Sequence, residues 1–276
     1  MLGSAIIVFR ETLEAALLIG ILAAATRNLS GRNLWMSAGI AIGLVGSLMV
    51  AGLTETISQL AEGTGQELFN AAVLGIAVLM LGWHNIWMAR HGREAAREAK
   101  AMGQAVTTGQ RTMSALALLI ALAVLREGSE TALFLYGLAA ANNTDQSSLL
   151  AGGIFGLAAG IVVGWALYAG LARIPIRYFF MVTSALILLL AAGMAGQMAR
   201  FLVQGDVIRP LASPLWDTSA ILPIDSVLGR FMHLLAGYEA RPSGIEVLFY
   251  VLTLLMILAG MHWSKRRSRI YSPATT

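Results

Sequence analysis

Seven long apolar stretches constrain the fold of this chain more than any other feature of its sequence. A helix of roughly 20 apolar residues is what crosses the hydrocarbon core of a bilayer. The stretches cover approximately residues 4–25, 35–57, 68–89, 112–140, 148–172, 178–199 and 244–263. Of the 276 residues 57% are hydrophobic and only 12% are charged, about half the charged share of a soluble domain. The sequence therefore predicts an all-α integral membrane protein with seven transmembrane helices.

The basic residues predict how these helices are oriented. Thirteen of the 19 Lys and Arg residues lie in the first, third and fifth loops and in the C-terminal tail. Because cytoplasmic segments of membrane proteins carry the excess of basic residues, we expect the N-terminus outside and the C-terminus in the cytoplasm of a cell-membrane protein. The pI of about 9.8 then follows from topology. A lipid bilayer is therefore the expected partner, and nucleic acid is not.

Most of the acidic residues lie on the opposite side. Nine of the 15 Asp and Glu residues are expected on or near the outer face, where they would raise the local concentration of cations. These acids are Glu55, Glu62, Glu67, Asp145, Asp206, Asp217, Asp225, Glu239 and Glu246.

The chain contains an internal repeat. The first and fourth stretches share a charged motif, the second and fifth are both rich in glycine, and the third and sixth end in the same Met-Ala-Arg sequence. A repeat of three spans must insert its second copy upside down, and such inverted repeats are typical of transporters. We therefore predict two inverted three-helix repeats in a single membrane domain. The predicted parts are 1–111 (first repeat with a cytoplasmic loop), 112–200 (second repeat), 201–243 (extracytoplasmic loop) and 244–276 (seventh helix and basic tail).

Two local patterns predict structure within these parts. Glycines at four-residue spacing on the fifth stretch, from Gly152 to Gly164, form a smooth stripe that lets helices pack closely. In the outer loop, Asp225 or Ser226 caps a short helix that ends at Gly237. The apolar residues along one side of this helix predict that it lies on the membrane surface.

The most informative motif is Arg-Glu-x-x-Glu, which occurs twice, each time near the middle of an apolar stretch. Its members are Arg10, Glu11 and Glu14 in the first copy and Arg126, Glu127 and Glu130 in the second. Six such charges, unpaired at the centre of a membrane, would cost on the order of 15–20 kcal/mol. Helix packing alone does not require this cost, so the motif indicates a functional site.

The spacing of the motif indicates what this site can do. Glu residues at i and i+3 lie on one face of a helix, and each Arg is four residues before the second Glu of its copy. Two such helices crossing at a pseudo-two-fold axis would present four carboxylates and two guanidinium groups, with a formal charge of −2. Oxygen ligands of this kind suit hard cations. Two other interpretations remain: buried Arg–Glu pairs that only fix helix register, and a proton relay in a proton-coupled carrier of another solute or divalent cation.

The other metal-binding residue types give weaker signals. Cysteine is absent, which excludes disulfides, thiolate metal sites and iron–sulfur clusters. His84 and His91 lie seven residues apart on the third stretch, so a membrane cytochrome that ligates haem is a further alternative. However, His91 falls at or beyond the cytoplasmic edge of this stretch, and single polar residues near span ends are usually interfacial. The sequence assigns no role to His84, Asp217, Asp225 or Glu239.

The doubled motif, the seven spans and the outside N-terminus together resemble the oxidase-coupled iron permeases, also called the iron/lead transporter family. The outer-loop residues 215–219, which read Leu-Trp-Asp-Thr-Ser, also look like the bacterial members. The resemblance covers essentially the whole chain. It implies a permease, not an enzyme, that imports iron as Fe²⁺ or Fe³⁺ and binds no permanent cofactor.

The resemblance also implies roles for the motif residues. Glu11, Glu14, Glu127 and Glu130 are implied as metal ligands, with Arg10 and Arg126 as supporting charges and no catalytic residue. A separate extracytoplasmic oxidase or electron-transfer protein is implied as a partner, beside the iron ions themselves.

Overall fold

The computed structural model describes residues 2–60, 65–142, 146–170 and 176–270, and within these ranges the chain forms helices and no strands. The prediction of an all-α protein is thus confirmed. The helices are α1 (Leu2–Ala25), α2 (Arg32–Leu60), α3 (Gln66–Thr107), α4 (Met113–Asn142), α5 (Gln146–Tyr168), α6 (Ile176–Gln204), α7 (Val227–Ala236) and α8 (Gly244–Ile270).

Five helices in the described ranges are long and apolar enough to cross a membrane. They contain the segments Arg32–Leu53, Gln66–Met88, Gln146–Tyr168, Met181–Gln204 and Gly244–Trp263. The helices α1 and α4, with 24 and 30 residues, are also long enough, but each carries one Arg and two Glu near its middle. Thus α1 and α4 differ from these five helices in carrying the charged motif, and not in length.

The third helix is longer than predicted. The segment 90–111 was expected to be a cytoplasmic loop, but α3 continues as a helix to Thr107. The segment is rich in Ala, Glu, Arg and Lys, which favour helix even in a polar stretch. The end of α3 lies against the end of α1, where Thr107 Oγ1 donates a hydrogen bond to the carbonyl oxygen of Ala25 at 3.0 Å.

The helices pack in a reciprocal pattern. The second helix of each predicted repeat packs along the first helix of the other, α2 on α4 and α5 on α1, while α3 packs on α6. Glycines permit the close approach: a Cβ atom at Gly43 would lie 2.6 Å from Val124 Cβ, and one at Gly160 would lie 2.7 Å from Thr12 Cβ. The predicted packing role of the glycine stripe is confirmed, because larger side chains at these positions would clash.

Two apolar clusters form the core, and the charged motifs lie between them. The first cluster includes Ile7 of α1 and Phe134 of α4, and the second includes Leu22 of α1 and Val124 of α4. Therefore α1 and α4 pass the two clusters in opposite order, with their motifs in the interval. The third helix contributes to both clusters and also passes through this interval.

The predicted short helix of the outer loop is confirmed as α7. The Ser226 hydroxyl accepts a hydrogen bond from the amide of Gly229 at 2.9 Å, and Gly237 ends the helix with a positive φ of 64°. Its place on the membrane surface stays a prediction, as does the orientation of the chain. Some of the charged residues assigned to a side of the membrane lie outside the described ranges, namely Glu62, Asp145 and Arg173. The same holds for the side chains of Glu55, Arg90, Arg93, Arg177 and the basic tail.

Candidate functional site

The first copy of the motif is enclosed within the helix bundle. The side chains of Arg10, Glu11 and Glu14 are only 1%, 1% and 4% exposed. Arg10 Nη1 donates a hydrogen bond to Glu11 Oε1 at 3.1 Å, and Arg10 Nε lies 3.0 Å from Glu14 Oε1. The predicted pairing of Arg10 with Glu14 across one helical turn is thus confirmed. One guanidinium serves two carboxylates, so this copy keeps a net negative formal charge.

The second copy has the same pairing but a more open environment. Arg126 Nε donates a hydrogen bond to Glu130 Oε1 at 3.0 Å and lies 3.8 Å from Glu127 Oε1. The Arg126 guanidinium also stacks on Trp87, 4.5 Å from the ring centroid, in a cation–π contact. Its side chain is 41% exposed, in contrast to the enclosed Arg10. The two arginines occupy equivalent positions in the repeated motif. Their different environments appear only in the structure.

A histidine from α3 joins the two copies. His84, to which the sequence assigns no role, is only 3% exposed and lies inside the bundle. Its Nδ1 contacts Glu130 Oε2, and its Nε2 lies 3.4 Å from Glu14 Oε2 and 3.9 Å from Glu11 Oε2. Both ring nitrogens therefore face carboxylates, and this environment does not suit a haem ligand. The side chain of His91 lies outside the part of the chain that the structure describes.

Sequence reasoning missed His84 because the predicted third span ends only a few residues beyond it. In fact α3 does not end there, and the polar pair His84-Asn85 lies between apolar residues of a continuous helix, followed by Ile86-Trp87-Met88-Ala89 before the charged extension begins. Asn85 is also buried and donates a hydrogen bond from Nδ2 to the carbonyl oxygen of Ser184 at 3.2 Å. Two adjacent polar residues inside an apolar stretch were the available signal.

The site has the donor atoms and the spacing of a metal centre. One ligand atom each from Glu11, His84, Glu127 and Glu130 lies within 4.8 Å of the others. Several buried carboxylate oxygens have no hydrogen-bond donor among the described residues, namely Glu11 Oε2, Glu14 Oε2 and Glu127 Oε2, whereas Glu14 Oε1 has its ion pair with Arg10. Buried acceptors without donors are costly, and this cost is relieved when a cation binds them. The four glutamates and two arginines of the two motifs together carry a formal charge of −2, which a bound cation would offset.

A cavity of about 200 Å³ reaches this group from the side of the second copy. It is lined by Met80, Trp83, His84, Trp87, Arg126 and Glu130. Glu127 and Glu130 are 12% and 16% exposed, more than the two glutamates of α1. Access to the buried carboxylates is therefore unequal, since only the α4 copy borders the cavity.

The acids of the outer loop have structural partners. Arg200 Nη2 lies 2.7 Å from Glu239 Oε2 and 3.1 Å from Glu246 Oε2, which ties the loop to α6 and α8. Asp217 Oδ2 accepts a hydrogen bond from Arg241 Nε at 2.9 Å. Hydrogen bonds from Ser219 and Arg241 lower the pKa of Asp217 to about 2, so this carboxylate stays charged at neutral pH.

Comparison with known proteins identifies the family of the chain. The profile of the Iron permease FTR1 family matches residues 1–270. The chain belongs to the iron permease FTR1 family. It is 33% identical over 258 residues to the ferrous iron permease EfeU of Escherichia coli O6:H1, covering 92% of each chain. It is 31% identical to the ferrous iron permease EfeU of Yersinia pestis, covering 92% of this chain and 90% of the relative. No solved structure matches the chain.

Membership in this family confirms the resemblance that the doubled motif carries. Iron permeases are transporters, so the chain is not an enzyme, and iron ions are the substrate of the family. Together with the long apolar helices, the family makes this chain a multi-pass membrane protein of iron transport.

Proposed function

We propose that the chain imports ferrous iron across the cell membrane and binds it between the two Arg-Glu-x-x-Glu motifs. Glu11, Glu14, Glu127 and Glu130 are the proposed carboxylate ligands, and Arg10 and Arg126 limit the repulsion among them. The relatives that are named ferrous iron permeases support Fe²⁺ as the transported species. The formal charge of −2 agrees with this choice, because a divalent ion makes the group neutral.

The observation that carries the proposal is the convergence of two equivalent motifs on one buried group. Without a common ligand, Glu14 Oε2 and Glu127 Oε2 would stay buried without a hydrogen-bond donor, which destabilises the fold. Simple register-fixing pairs would satisfy these oxygens with hydrogen-bond donors. The arrangement therefore favours ion binding over a purely structural role.

The proposed transport mechanism rests on seven spans arranged as two inverted repeats. Helices α1 and α4 then cross the membrane with the five apolar helices, and their motifs lie near the midplane. The opposite order in which α1 and α4 pass the two apolar clusters supports the inversion. The exchanged packing of α2 on α4 and α5 on α1 supports it as well.

Unequal exposure of the two motifs supports alternating access. In an inverted repeat, exchanging the conformations of the halves moves the opening from one side of the membrane to the other. In each of the two states, one motif must be enclosed and the other accessible. The enclosed Arg10 and the half-exposed Arg126 fit this requirement. With the predicted orientation, the half-exposed Arg126 lies on the cytoplasmic side of Glu130, so we infer that this conformation faces inward.

Uptake of radioactive iron into proteoliposomes tests the proposal, with ascorbate present to keep iron as Fe²⁺. We expect Glu14→Gln and Glu130→Gln each to lower uptake by about tenfold or more, because each removes a charged ligand. Glu98→Gln is the matched control, since Glu98 is exposed on the extension of α3.

Unchanged iron uptake in both variants would refute the site. Uptake of another solute by the wild type, with no iron signal, would favour the proton relay of a carrier for that solute. A separate extracytoplasmic oxidase or electron-transfer partner remains a prediction from the family resemblance. Uptake by the purified protein under reducing conditions should not need one.

A further inference from the structure

The structure contains one nitrogen donor among the carboxylates, and the repeated motif does not include it. Aligning the two Met-Ala-Arg sequences, Met88-Ala89-Arg90 and Met198-Ala199-Arg200, places His84 opposite Met194 of the second repeat. The histidine therefore breaks the symmetry of an otherwise doubled site. A purely electrostatic group of glutamates would not need this exception.

The contacts of His84 fix how its ring can act. A neutral imidazole carries its proton on one nitrogen and an acceptor lone pair on the other. Since Nδ1 contacts the carboxylate of Glu130, the proton is stabilised on Nδ1. The lone pair of Nε2 is then directed toward Glu14 and Glu11, and Nε2 has no hydrogen-bond donor among the described residues.

This arrangement matches the way histidine binds metals in proteins. A metal-binding His usually donates its second ring N–H to a carboxylate, which fixes the tautomer and makes the ligand more basic. Nitrogen and oxygen ligands bind divalent metals such as zinc at about 2.1 Å, so two ligands of one ion are about 3.0–3.4 Å apart. The 3.4 Å from His84 Nε2 to Glu14 Oε2 falls in this range. Two carboxylates facing Nε2 require a positive charge between them, which a proton on Nε2 or a metal ion in its place would supply.

We propose that His84 is a ligand of the transported ion through Nε2, with Glu130 holding its Nδ1–H, and that it selects iron over hard cations. This rests on the proposed function, because it adds a ligand to the same site. Imidazole suits divalent transition metals, whereas Mg²⁺ and Ca²⁺ prefer ligands that are all oxygen. His84 therefore discriminates where four carboxylates alone would admit any divalent cation of suitable size.

Electron spin echo measurements on Mn²⁺ bound to the purified full-length protein test the ligand directly. Mn²⁺ serves as a paramagnetic probe, and a directly bound imidazole imposes a nitrogen modulation on its echo. We expect this modulation in the wild type and its loss in His84→Gln. His262→Gln, on the exposed end of α8, is the matched control and should keep it. The affinity tag must contain no histidine.

A second variant keeps the test decisive if His84→Gln fails to fold or to bind Mn²⁺. The chain has four histidines, so the triple variant His91→Gln, His233→Gln and His262→Gln retains only His84. The nitrogen modulation must persist in this variant. Its absence there, its absence in the wild type, or its persistence in a folded His84→Gln would each overturn the proposal.

Competition during iron uptake tests the selectivity. We expect His84→Gln to lower the concentration of Mg²⁺ or Ca²⁺ that half-inhibits Fe²⁺ uptake by about tenfold, the usual scale for losing one supporting metal contact. Unchanged competition would refute the selective role. These outcomes are separate from failure of the proposed function, which shows as iron uptake that does not depend on Glu14 and Glu130.

Discussion

Arg10 and Arg126 show how two residues with identical sequence contexts acquire different energetic roles. Arg10 is 1% exposed and lies between two buried carboxylates, whereas Arg126 is 41% exposed and stacks on Trp87. Removing one partner of a buried ion pair leaves an uncompensated charge in a medium of low dielectric constant. When Arg126 is removed, Glu130 still contacts His84, so its charge keeps a partner. Arg10 therefore contributes more to the stability of the fold than Arg126 does.

We expect Arg10→Ala to destabilise the protein by about 3–5 kcal/mol, because Glu11 and Glu14 then lose their shared cation. Arg126→Ala should cost less, because Glu130 keeps its contact with His84. The midpoints of thermal unfolding in detergent compare the two variants at matched protein and lipid content. Equal shifts of the two midpoints would contradict the different environments. Arg10→Lys keeps the charge without the two-sided geometry, so it should fall between wild type and Arg10→Ala.

At this scale the sequence predicts the motif residues and their pairing, but not His84. The i, i+4 geometry of a helix places Arg10 beside Glu14 and Arg126 beside Glu130 wherever the helix lies. The position of His84 depends instead on how α3 packs against α1 and α4. Such contacts between distant segments leave no periodic signal, so a lone histidine cannot be assigned from one sequence.

Helix pairs show a complementary arrangement of sizes at the level of the motifs. On one side Thr12 of α1 faces Gly160 of α5, and on the other Gly128 of α4 faces Ser47 of α2, where a Cβ on Gly128 would lie 2.6 Å from Ser47 Cβ. The larger residue is thus on the motif helix in one pair and on its partner in the other. Both arrangements bring a motif helix close to its neighbour and set where its glutamates lie.

We expect Gly160→Ser to lower iron uptake by about tenfold, because the new side chain would displace α1 and with it Glu11 and Glu14. The double variant Thr12→Gly with Gly160→Ser should recover part of the uptake, since it removes the clash with Thr12 and leaves the 3.0 Å approach to the carbonyl oxygen of Phe9. Gly153→Ser is the control, because a Cβ there is 3.8 Å from its nearest neighbour, Val8. Failure of the double variant to recover uptake would show that helix spacing is not the cause.

Element boundaries were predictable where capping residues mark them. Ser226 and Gly237 delimit α7 in the sequence, and they cap it in the structure. The extension of α3 to Thr107 was not predicted, because its charged residues resemble a cytoplasmic loop and no capping residue separates them from the span. The residues before and after the end of the apolar span both favour helix, so α3 continues past this point.

The reciprocal packing among the first six helices is a property of the whole molecule, and it follows from the predicted repeat. Each half cannot enclose its own motif, because the helix that covers it belongs to the other half: α5 covers α1, and α2 covers α4. The halves are therefore interlocked, and they cannot separate without exposing charged residues to lipid. The sequence predicted two halves but not this exchange, since similarity between segments does not specify which segments touch.

The number of spans and the orientation together form a prediction for labelling in intact cells. The chain lacks cysteine, so single cysteine variants have no background. Gln110 and Gln146 are exposed residues that flank α4, Asn28 is exposed after α1, and Ile221 of the outer loop is 86% exposed. If α4 crosses the membrane in spite of its motif, Gln110→Cys and Gln146→Cys must lie on opposite sides.

We expect a membrane-impermeant maleimide to label Gln146→Cys and Ile221→Cys in intact cells, and Asn28→Cys and Gln110→Cys only after permeabilisation. The physical reason is the excess of basic residues beside the latter two positions, which holds them in the cytoplasm. The cysteine-free parent should show no labelling under either condition. Equal labelling of Gln110→Cys and Gln146→Cys would mean that α4 does not span, and the inverted-repeat mechanism would then fail. Reversed labelling of all four variants would leave the repeats in place but would turn the proposed importer's cavity toward the outside.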